Sequence, residues 1–144
     1  MSAPAVDLGR ATAELIDAFN RADWDRMRAS LAPDVHYTET GTGRQIDGVD
    51  PYIDLCAEWR AAFPDVTGTV TNSAEGERLA VLEIHWEGTH TGPLVTPAGI
   101  LPPSGSSVAA DASFWARYDG DRIREIHHHL DVLTLLQQVG ATGG

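Results

Sequence analysis

Residues 78–90, RLAVLEIHWEGTH, constrain the fold more than any other part of the sequence, because their apolar and polar side chains alternate. Successive side chains of a β-strand point to opposite faces of a sheet, so this pattern predicts a strand with one buried and one polar face. The inward set comprises the even positions Ala80, Leu82, Ile84, Trp86, Gly88 and His90. The outward set comprises Glu83, His85 and Glu87. The rest of the chain must therefore supply a layer that covers the even-numbered face.

Helical periodicity in the N-terminal half supplies candidates for that layer. In residues 6–22 apolar side chains recur at steps of three and four, which predicts an amphipathic helix. A shorter helix follows Asp23, which suits an N-cap, and is closed by Pro33. A third helix begins at Asp50, another suitable N-cap, and stops at Pro64.

The second half predicts further strands and one more helix. Val35 and Tyr37 share one face of a short strand, and a Gly- and Pro-rich loop covers residues 91–107. Residues 108–130 predict two strands joined by an Asp-Gly turn, and DVLTLLQQVG predicts a final helix. Helices, then a curled antiparallel sheet, then a short helix predict an α+β fold with helices on one face of the sheet.

Length, charge and composition exclude several classes of protein. At 144 residues, the chain fits one domain with an ordered core over about residues 6–140. A formal net charge of −11, with scattered arginines and no lysine, argues against a nucleic-acid partner. No apolar run approaches the roughly 20 residues of a membrane span, and Cys56 has no second cysteine to pair with. We therefore expect a cytoplasmic protein with no membrane partner.

Three consecutive histidines, residues 127–129, lie on the last predicted strand. Alternation places His128 on the same face as the apolar Ile126 and Leu130, whereas its two neighbours point the other way. The pattern predicts that His128 is buried and that the other two are in water or in a subunit contact. A break in the pattern at Arg124 is typical of a bulge or a change of register.

A metal site is one interpretation of the outer pair of histidines. His127 and His129 have the spacing of two ligands on one strand, and zinc favours imidazole. Nothing in the sequence brings a third ligand close, whether His85, Glu125 or His36. A polar outer face without a ligand role explains the same residues, and we expect no metal.

His128 and three other residues are candidates for acid–base chemistry. His128 is either a core histidine satisfied by one hydrogen bond or a proton-transfer group, since imidazole titrates at a pH of about 6.5. His90 is predicted to point inward at the end of its strand. Asp131 either caps the last helix, which is the favoured interpretation, or orients an imidazole. Tyr37 is either a core tyrosine or a hydrogen-bond donor to a substrate oxygen.

Aromatic side chains would line a pocket for a flat apolar ligand if the helices and the sheet leave a cavity. These side chains are Trp59, Trp86, Trp115, Phe114 and Phe63. Aromatic stripes belong more often to a plain core, so by themselves they favour a cavity only slightly.

Six motifs in order across residues 10–140 resemble the SnoaL-like polyketide cyclase family: AFNRADWDRMRASLAPDVHY, AAFPDV, EGTHTGPL, LPPSG, YDGDRIREI and DVLTLLQQVG. The resemblance implies the cone-shaped α+β barrel of the nuclear transport factor 2-like superfamily, with a small hydrophobic molecule held between sheet and helices. Family cyclases close a ring by intramolecular aldol condensation without a metal or organic cofactor. The superfamily also hosts other reactions and non-catalytic binding domains, so the resemblance specifies the fold better than the reaction.

The resemblance also implies roles for individual residues. It puts the acid–base aspartate of the family on His128, which replaces an anion with a group that is neutral or cationic near neutral pH. Asp131 matches a frequent family aspartate, and His90 matches the histidine of the GTH motif. Tyr37 and Ser113 fall where family cyclases line their pocket. The expected substrate contacts are Trp59, Trp86, Ser113, Trp115 and Phe63.

We therefore expect a cofactor-independent enzyme of the polyketide cyclase type that acts on a hydrophobic enolisable or polycyclic carbonyl compound. His128 would be the base or proton shuttle, and His90 or Tyr37 the donor to the enolate oxygen. One alternative is a dehydration, isomerisation or epoxide opening in the same cone, and another is a non-catalytic small-molecule binding domain. Superfamily members often dimerise through the outer face of the sheet, so a homodimer is expected.

Overall fold

The computed structural model of the chain describes residues 7–141, which form four helices and eight strands. The four helices lie where they are predicted, whereas the strands over residues 44–47, 67–76, 94–96 and 99–101 are not among the predicted ones. The helices are α1 (Leu8–Asn20), α2 (Trp24–Ser30), α3 (Val49–Ala62) and α4 (Val132–Gln138). The strands are β1 (Leu31–Thr40), β2 (Arg44–Asp47), β3 (Thr67–Gly76), β4 (Leu79–Thr89), β5 (Leu94–Thr96), β6 (Gly99–Leu101), β7 (Ser107–Asp119) and β8 (Arg122–Leu130).

Six strands form one sheet in the order β2-β1-β8-β7-β4-β3. Neighbouring strands are antiparallel except β1 and β8, which run parallel. The prediction of an antiparallel sheet is wrong for this pair, because strand direction depends on which distant strands the fold brings together. The predicted irregularity at Arg124 is confirmed: Ile123 and Glu125 pair with the adjacent Tyr118 and Arg117, which leaves Arg124 unpaired in this ladder.

The α+β prediction is confirmed, because the helices pack against one face of the sheet. We call this the inner face and the opposite side the outer face. The predicted inward positions Ala80, Leu82 and Ile84 of β4 are each at most 1% exposed. They belong to one core cluster with side chains from the helices, such as Leu15 of α1 and Tyr52 of α3. Burial of this apolar surface is the main source of stability for the layer.

Two helix boundaries differ from the sequence predictions. Helix α2 ends at Ser30, so that Pro33, predicted to close it, lies within β1. The Asp23 side chain accepts a hydrogen bond from the backbone of Arg26 and caps α2, as predicted. For α3 the N-cap is Gly48 and not Asp50, which lies in the first turn. Gly48 has φ of +97°, and glycine is the residue that adopts such a conformation without strain. None of the helices within residues 7–141 is long and apolar enough to cross a membrane.

The loop predicted over residues 91–107 contains the β5–β6 hairpin and is anchored to the end of α3. The backbone N–H of Gly92 donates to the carbonyl oxygen of Ala62 at 3.1 Å. A Cβ atom at Gly92 would lie only 1.8 Å from the carbonyl oxygen of Ala61, so this close approach requires glycine. The contact holds the loop against the end of α3, where Leu94 and Phe63 belong to one apolar cluster.

Candidate functional site

A cavity of about 80 Å³ lies between the inner face of the sheet and the helices. This volume is several times the roughly 10–15 Å³ needed to seat one water molecule. Its wall is almost wholly apolar. Five predicted site residues contribute to it, namely Tyr37, Trp59, Phe63, Trp86 and His128. The fold therefore brings the central predicted residues together around one apolar space.

His128 reaches the cavity from β8, and its side chain is 8% exposed. Its register partners are Glu39 on the parallel strand β1 and Phe114 on β7. The imidazole lies 5.3 Å from the Phe114 ring and 6.0 Å from the Trp86 ring, measured between centroids. The prediction that His128 is the inward member of the triplet is confirmed.

The hydrogen bonds of Tyr37 determine which nitrogen of His128 carries a proton. The Tyr37 hydroxyl donates its hydrogen to Glu39 Oε2 at 2.6 Å, and its oxygen lies 2.9 Å from His128 Nδ1. Because that hydrogen is already engaged, the second contact requires Nδ1–H as the donor. The neutral imidazole therefore leaves Nε2 unprotonated. Nε2 is buried and has no hydrogen-bond partner within residues 7–141.

Glu39 is a residue of the site that the sequence analysis missed. It is fully buried, and its carboxylate accepts hydrogen bonds from Tyr37, from Trp59 Nε1 at 3.0 Å and from Thr42 Oγ1 at 2.7 Å. Such donors are what a buried carboxylate needs in place of water. The signal was present in the sequence, because alternation from Val35 through Tyr37 places Glu39 next on the same face of β1.

Burial sets the protonation of the two groups nearest the cavity. Loss of water lowers the pKa of His128 from 6.5 to about 4, against the opposing attraction of the Glu39 charge. Burial also raises the pKa of Tyr37 well above its ordinary range, and the Glu39 charge adds to this effect. At neutral pH, His128 is therefore an unprotonated base and Tyr37 keeps its hydroxyl hydrogen.

Acid is expected to destabilise the folded chain through His128. The pKa of His128 is about 4 when folded and ordinarily 6.5, so the unfolded chain binds this proton more readily between those values. The contribution of His128 to the free energy of unfolding is complete above the ordinary pKa of 6.5. It is lost as the pH falls from 6.5 to about 4, and the loss is on the order of 3 kcal/mol. Denaturant unfolding across this pH range measures the effect.

The matched control for this pH dependence is His128→Asn, whose side-chain amide can still donate to Tyr37 from the place of Nδ1. The same carboxyl groups are present in both proteins, so the difference between the two stability curves reports the imidazole together with its coupling to Glu39. Parallel curves for wild type and variant would contradict the assignment.

Three aromatic residues that were predicted to contact a substrate line the cavity, namely Trp59, Phe63 and Trp86. They differ in whether they carry a hydrogen-bond donor that is still unpaired. Trp59 uses its indole N–H on Glu39 and stacks with Phe63, with ring centroids 6.3 Å apart. Trp86 packs edge to face against Phe19 at 5.3 Å, and its Nε1 has no partner in the described part of the chain. Of these side chains, Trp86 therefore carries a hydrogen-bond donor that is unpaired within residues 7–141.

The structure corrects the placement of Ser113 and Trp115. Strand β7 buries Ala112, Phe114 and Ala116, which turns the residues between them toward the outer face. Trp115 is 40% exposed, and neither residue belongs to the cavity wall formed by residues 7–141. Their residue types favoured a pocket role, but alternation with Phe114 directs them away from the cavity.

His90 and Asp131 also lie outside the part of the cavity wall that the structure describes. His90 is fully buried, as predicted, and its Nδ1 accepts a hydrogen bond from the Ser104 backbone N–H at 3.2 Å. Its backbone is bonded to the same loop, so His90 organises the chain there. Asp131 accepts hydrogen bonds from the backbone and the hydroxyl of Thr134, which confirms its capping of α4.

The two outer histidines contact polar neighbours on the outer face. His127 Nε2 pairs with the Glu125 carboxylate, and His129 Nδ1 lies 2.9 Å from Thr40 Oγ1. Across residues 7–141, no group of three or more His, Cys, Asp or Glu side chains is arranged to hold a metal ion. These contacts are those of a polar sheet face.

Both the sequence and the fold have matches among known proteins. The sequence profile of a family described as SnoaL-like polyketide cyclase matches residues 10–139. No curated protein matches the chain.

Three solved structures illustrate the likeness of fold. IdmH of Streptomyces antibioticus, a candidate polyketide cyclase, is 26% identical with a TM-score of 0.80, over 94% of this chain and 99% of that one. AclR of Streptomyces galilaeus, a candidate hydroxylase, is 20% identical with a TM-score of 0.78, over 92% and 83%. A protein of Catenulispora acidiphila with a ketosteroid isomerase-like fold is 16% identical with a TM-score of 0.76, over 90% and 92%.

Proposed function

Since the chain belongs to the SnoaL-like polyketide cyclase family, we propose that it is a cofactor-independent enzyme that moves protons on a hydrophobic, enolisable carbonyl compound. The reaction is an aldol-type ring closure or a related rearrangement, and His128 is the base. The observation that carries this proposal is the unprotonated, partnerless Nε2 of His128 beside an apolar cavity, within the chain as described.

The first step is removal of a proton from the carbon next to the carbonyl by His128 Nε2. The electron pair of that C–H bond forms the C=C bond of an enolate, and the carbonyl oxygen becomes negative. The imidazolium donates from Nδ1 to Tyr37, and Tyr37 donates to the Glu39 carboxylate. The buried negative charge of Glu39 thus stabilises the positive charge on His128.

The second step uses the enolate carbon. This carbon either attacks a second carbonyl group of the same molecule, which closes a ring, or takes up a proton. Protonation regenerates the starting compound or gives an isomer of it. The imidazolium supplies the proton that the new alkoxide or carbon requires. Tyr37 orients His128 in this scheme and is not a donor to the substrate, because its hydrogen is engaged with Glu39.

The space around the site supports a ligand larger than the cavity alone. A neighbouring pocket of about 220 Å³, between the β5–β6 hairpin and α4, shares Trp59 and Leu135 with the cavity. We propose that the reacting carbonyl sits beside His128 and that the remainder of a larger or polycyclic molecule extends toward this pocket. An open volume of this kind favours a ligand-binding role over a filled core.

Proton transfer can be measured before the natural substrate is known. The protein is treated with a chelator and incubated in deuterium oxide with a panel of cyclic ketones and β-diketones. Loss of the α-proton NMR signal is then followed. At least one compound is expected to exchange faster than with free imidazole at the same concentration. Exchange no faster than with imidazole for every compound would contradict the proposed function.

We also propose that two copies of the chain associate through the outer face of the sheet. Trp115 is a large apolar side chain there, and its register partners are Val81 and His127. A Trp115→Glu variant is expected to sediment as a monomer, because it places a charge in the contact. Ile100→Glu, at an exposed apolar residue of the hairpin, is the control and should remain a dimer. A monomeric wild-type protein would contradict this proposal.

A further inference from the structure

Two buried nitrogen atoms of cavity-lining residues have no hydrogen-bond partner among residues 7–141. They are Trp86 Nε1 and His128 Nε2. Buried polar groups are nearly always paired in native proteins, so two unpaired atoms around one cavity point to a ligand that pairs with them. A third such atom, His90 Nε2, belongs to a residue outside the described cavity wall.

The two atoms are complementary in what they offer. An indole Nε1–H can only donate a hydrogen bond, whereas the unprotonated Nε2 of His128 can only accept one. The two rings lie close together, with centroids 6.0 Å apart at an angle of 60°. Two neighbouring residues of the cavity wall therefore carry one unpaired donor and one unpaired acceptor.

The position of the Trp86 indole is built into the fold. The ring lies directly over Gly68 on the neighbouring strand β3, where an added Cβ atom would come within 2.5 Å of Trp86 Cζ3. The side chain of Asn20 binds both the N–H and the carbonyl of Gly68, at 2.8 and 2.9 Å, and so ties β3 to the end of α1. Phe19 also packs against the indole, with the two ring planes nearly perpendicular. A donor held in this way needs little reorganisation when a ligand binds.

We propose that Trp86 Nε1 and His128 Nε2 together recognise the enol or enolate form of an uncharged carbonyl compound, with Trp86 as a catalytic residue that donates to its oxygen. This inference rests on the proposed function, which it deepens. In the keto form the ligand oxygen accepts from Trp86 while His128 takes the α-proton. The imidazolium then returns this proton to the enolate oxygen, so that in the enol form the hydroxyl donates to His128 and accepts from Trp86.

The charges around the cavity specify the class of ligand further. The part of the wall that the structure describes contains no arginine, and the chain has no lysine. The buried Glu39 carboxylate lies behind His128. The described wall also includes the exposed Glu87. A ligand with its own carboxylate or phosphate would therefore meet no cation there and two carboxylates, one of them buried. Neutral ketones, enols and phenols fit this site, whereas organic acids do not.

Phenol is a stable probe for this pair, since its hydroxyl both donates and accepts, and toluene is the matched probe without that hydroxyl. Binding of each is measured by NMR titration of wild type and of Trp86→Phe, which keeps an aromatic ring but lacks the N–H. Wild type is expected to bind phenol more tightly than toluene. Trp86→Phe should lower the phenol affinity about tenfold and leave the toluene affinity unchanged. An equal preference for phenol in the two proteins would overturn the inference.

A second measurement needs no variant. The indole N–H resonance of Trp86 is expected to shift when phenol binds wild type and to stay in place with toluene. An indole resonance that responds alike to both probes would overturn the inference even if Trp86→Phe did not fold.

The outcomes separate this inference from the proposed function. If phenol binds through Trp86 but no ketone exchanges its α-hydrogens, the donor–acceptor pair stands as a binding site and the enzymatic proposal fails. If ketones exchange through His128 while Trp86→Phe leaves both exchange and phenol affinity unchanged, the proposed function stands and the role of Trp86 is overturned.

Discussion

The His128→Asn variant is expected to exchange the α-hydrogens of a responsive ketone about 100-fold to 10,000-fold more slowly than wild type, the range that a positioned general base contributes. The asparagine amide can donate to Tyr37 from the place of Nδ1, so the hydrogen bonds to Glu39 are retained. No basic nitrogen remains where Nε2 stood. The variant therefore removes the base while it leaves the network that orients it.

The measurement is the initial rate of deuterium incorporation at equal concentrations of folded protein. His129→Asn is the matched control, since it changes a neighbouring histidine on the same strand that points to the outer face and contacts Thr40. Its rate should equal that of wild type. If His128→Asn incorporated deuterium at the wild-type rate, His128 would not be the base of the proposed mechanism.

Replacement of Glu39 is expected to have the largest effect on stability. Glu39→Leu removes the acceptor of the buried Tyr37 hydroxyl and of the half-buried Trp59 indole N–H. Each unsatisfied buried donor costs about 1–3 kcal/mol, so the free energy of unfolding should fall by about 3 kcal/mol or more. Urea denaturation measures the loss. Glu83→Leu, at an exposed glutamate of the outer face, should change stability by less than about 1 kcal/mol.

Glu39→Gln separates the charge of this residue from its hydrogen bonds. The amide oxygen can still accept from Tyr37 and Trp59, so most of the stability should remain. The negative charge that raises the pKa of His128 is lost, and this pKa should therefore fall below its wild-type value of about 4. A weaker base should slow exchange about tenfold. An unchanged exchange rate together with an unchanged His128 titration would show that Glu39 acts only in packing.

The two faces of the strands could be predicted from local alternation. On β8, His128 points to the same face as Ile126 and Leu130, and it is buried as this alternation predicts. The same reasoning applied to β7 would have turned Ser113 and Trp115 outward. Residue type and family resemblance favour a pocket role for both residues, but neither encodes the direction of a side chain.

The role of Glu39 shows why local patterns do not suffice. Alternation along β1 places it on the inner face, but glutamate is almost never fully buried without partners, so its residue type argues for the opposite face. Its burial is tolerated because Tyr37 on the same strand, Thr42 in the next turn and Trp59 on α3 donate to one carboxylate. The Trp59 donor is twenty residues away along the chain, and no sequence period relates the two.

By itself, the sequence determined the four helices, the strands β1, β4, β7 and β8 and the inward direction of His128, because periodicity and alternation act over a few neighbouring residues. Only the tertiary structure decided that β1 runs parallel to β8, which sets Glu39 opposite His128. It also decided that the Tyr37 hydrogen goes to Glu39, and hence which imidazole nitrogen is left as a base. These features depend on hydrogen bonds between distant segments, and each bond exists only where the packed chain brings its donor and acceptor within reach.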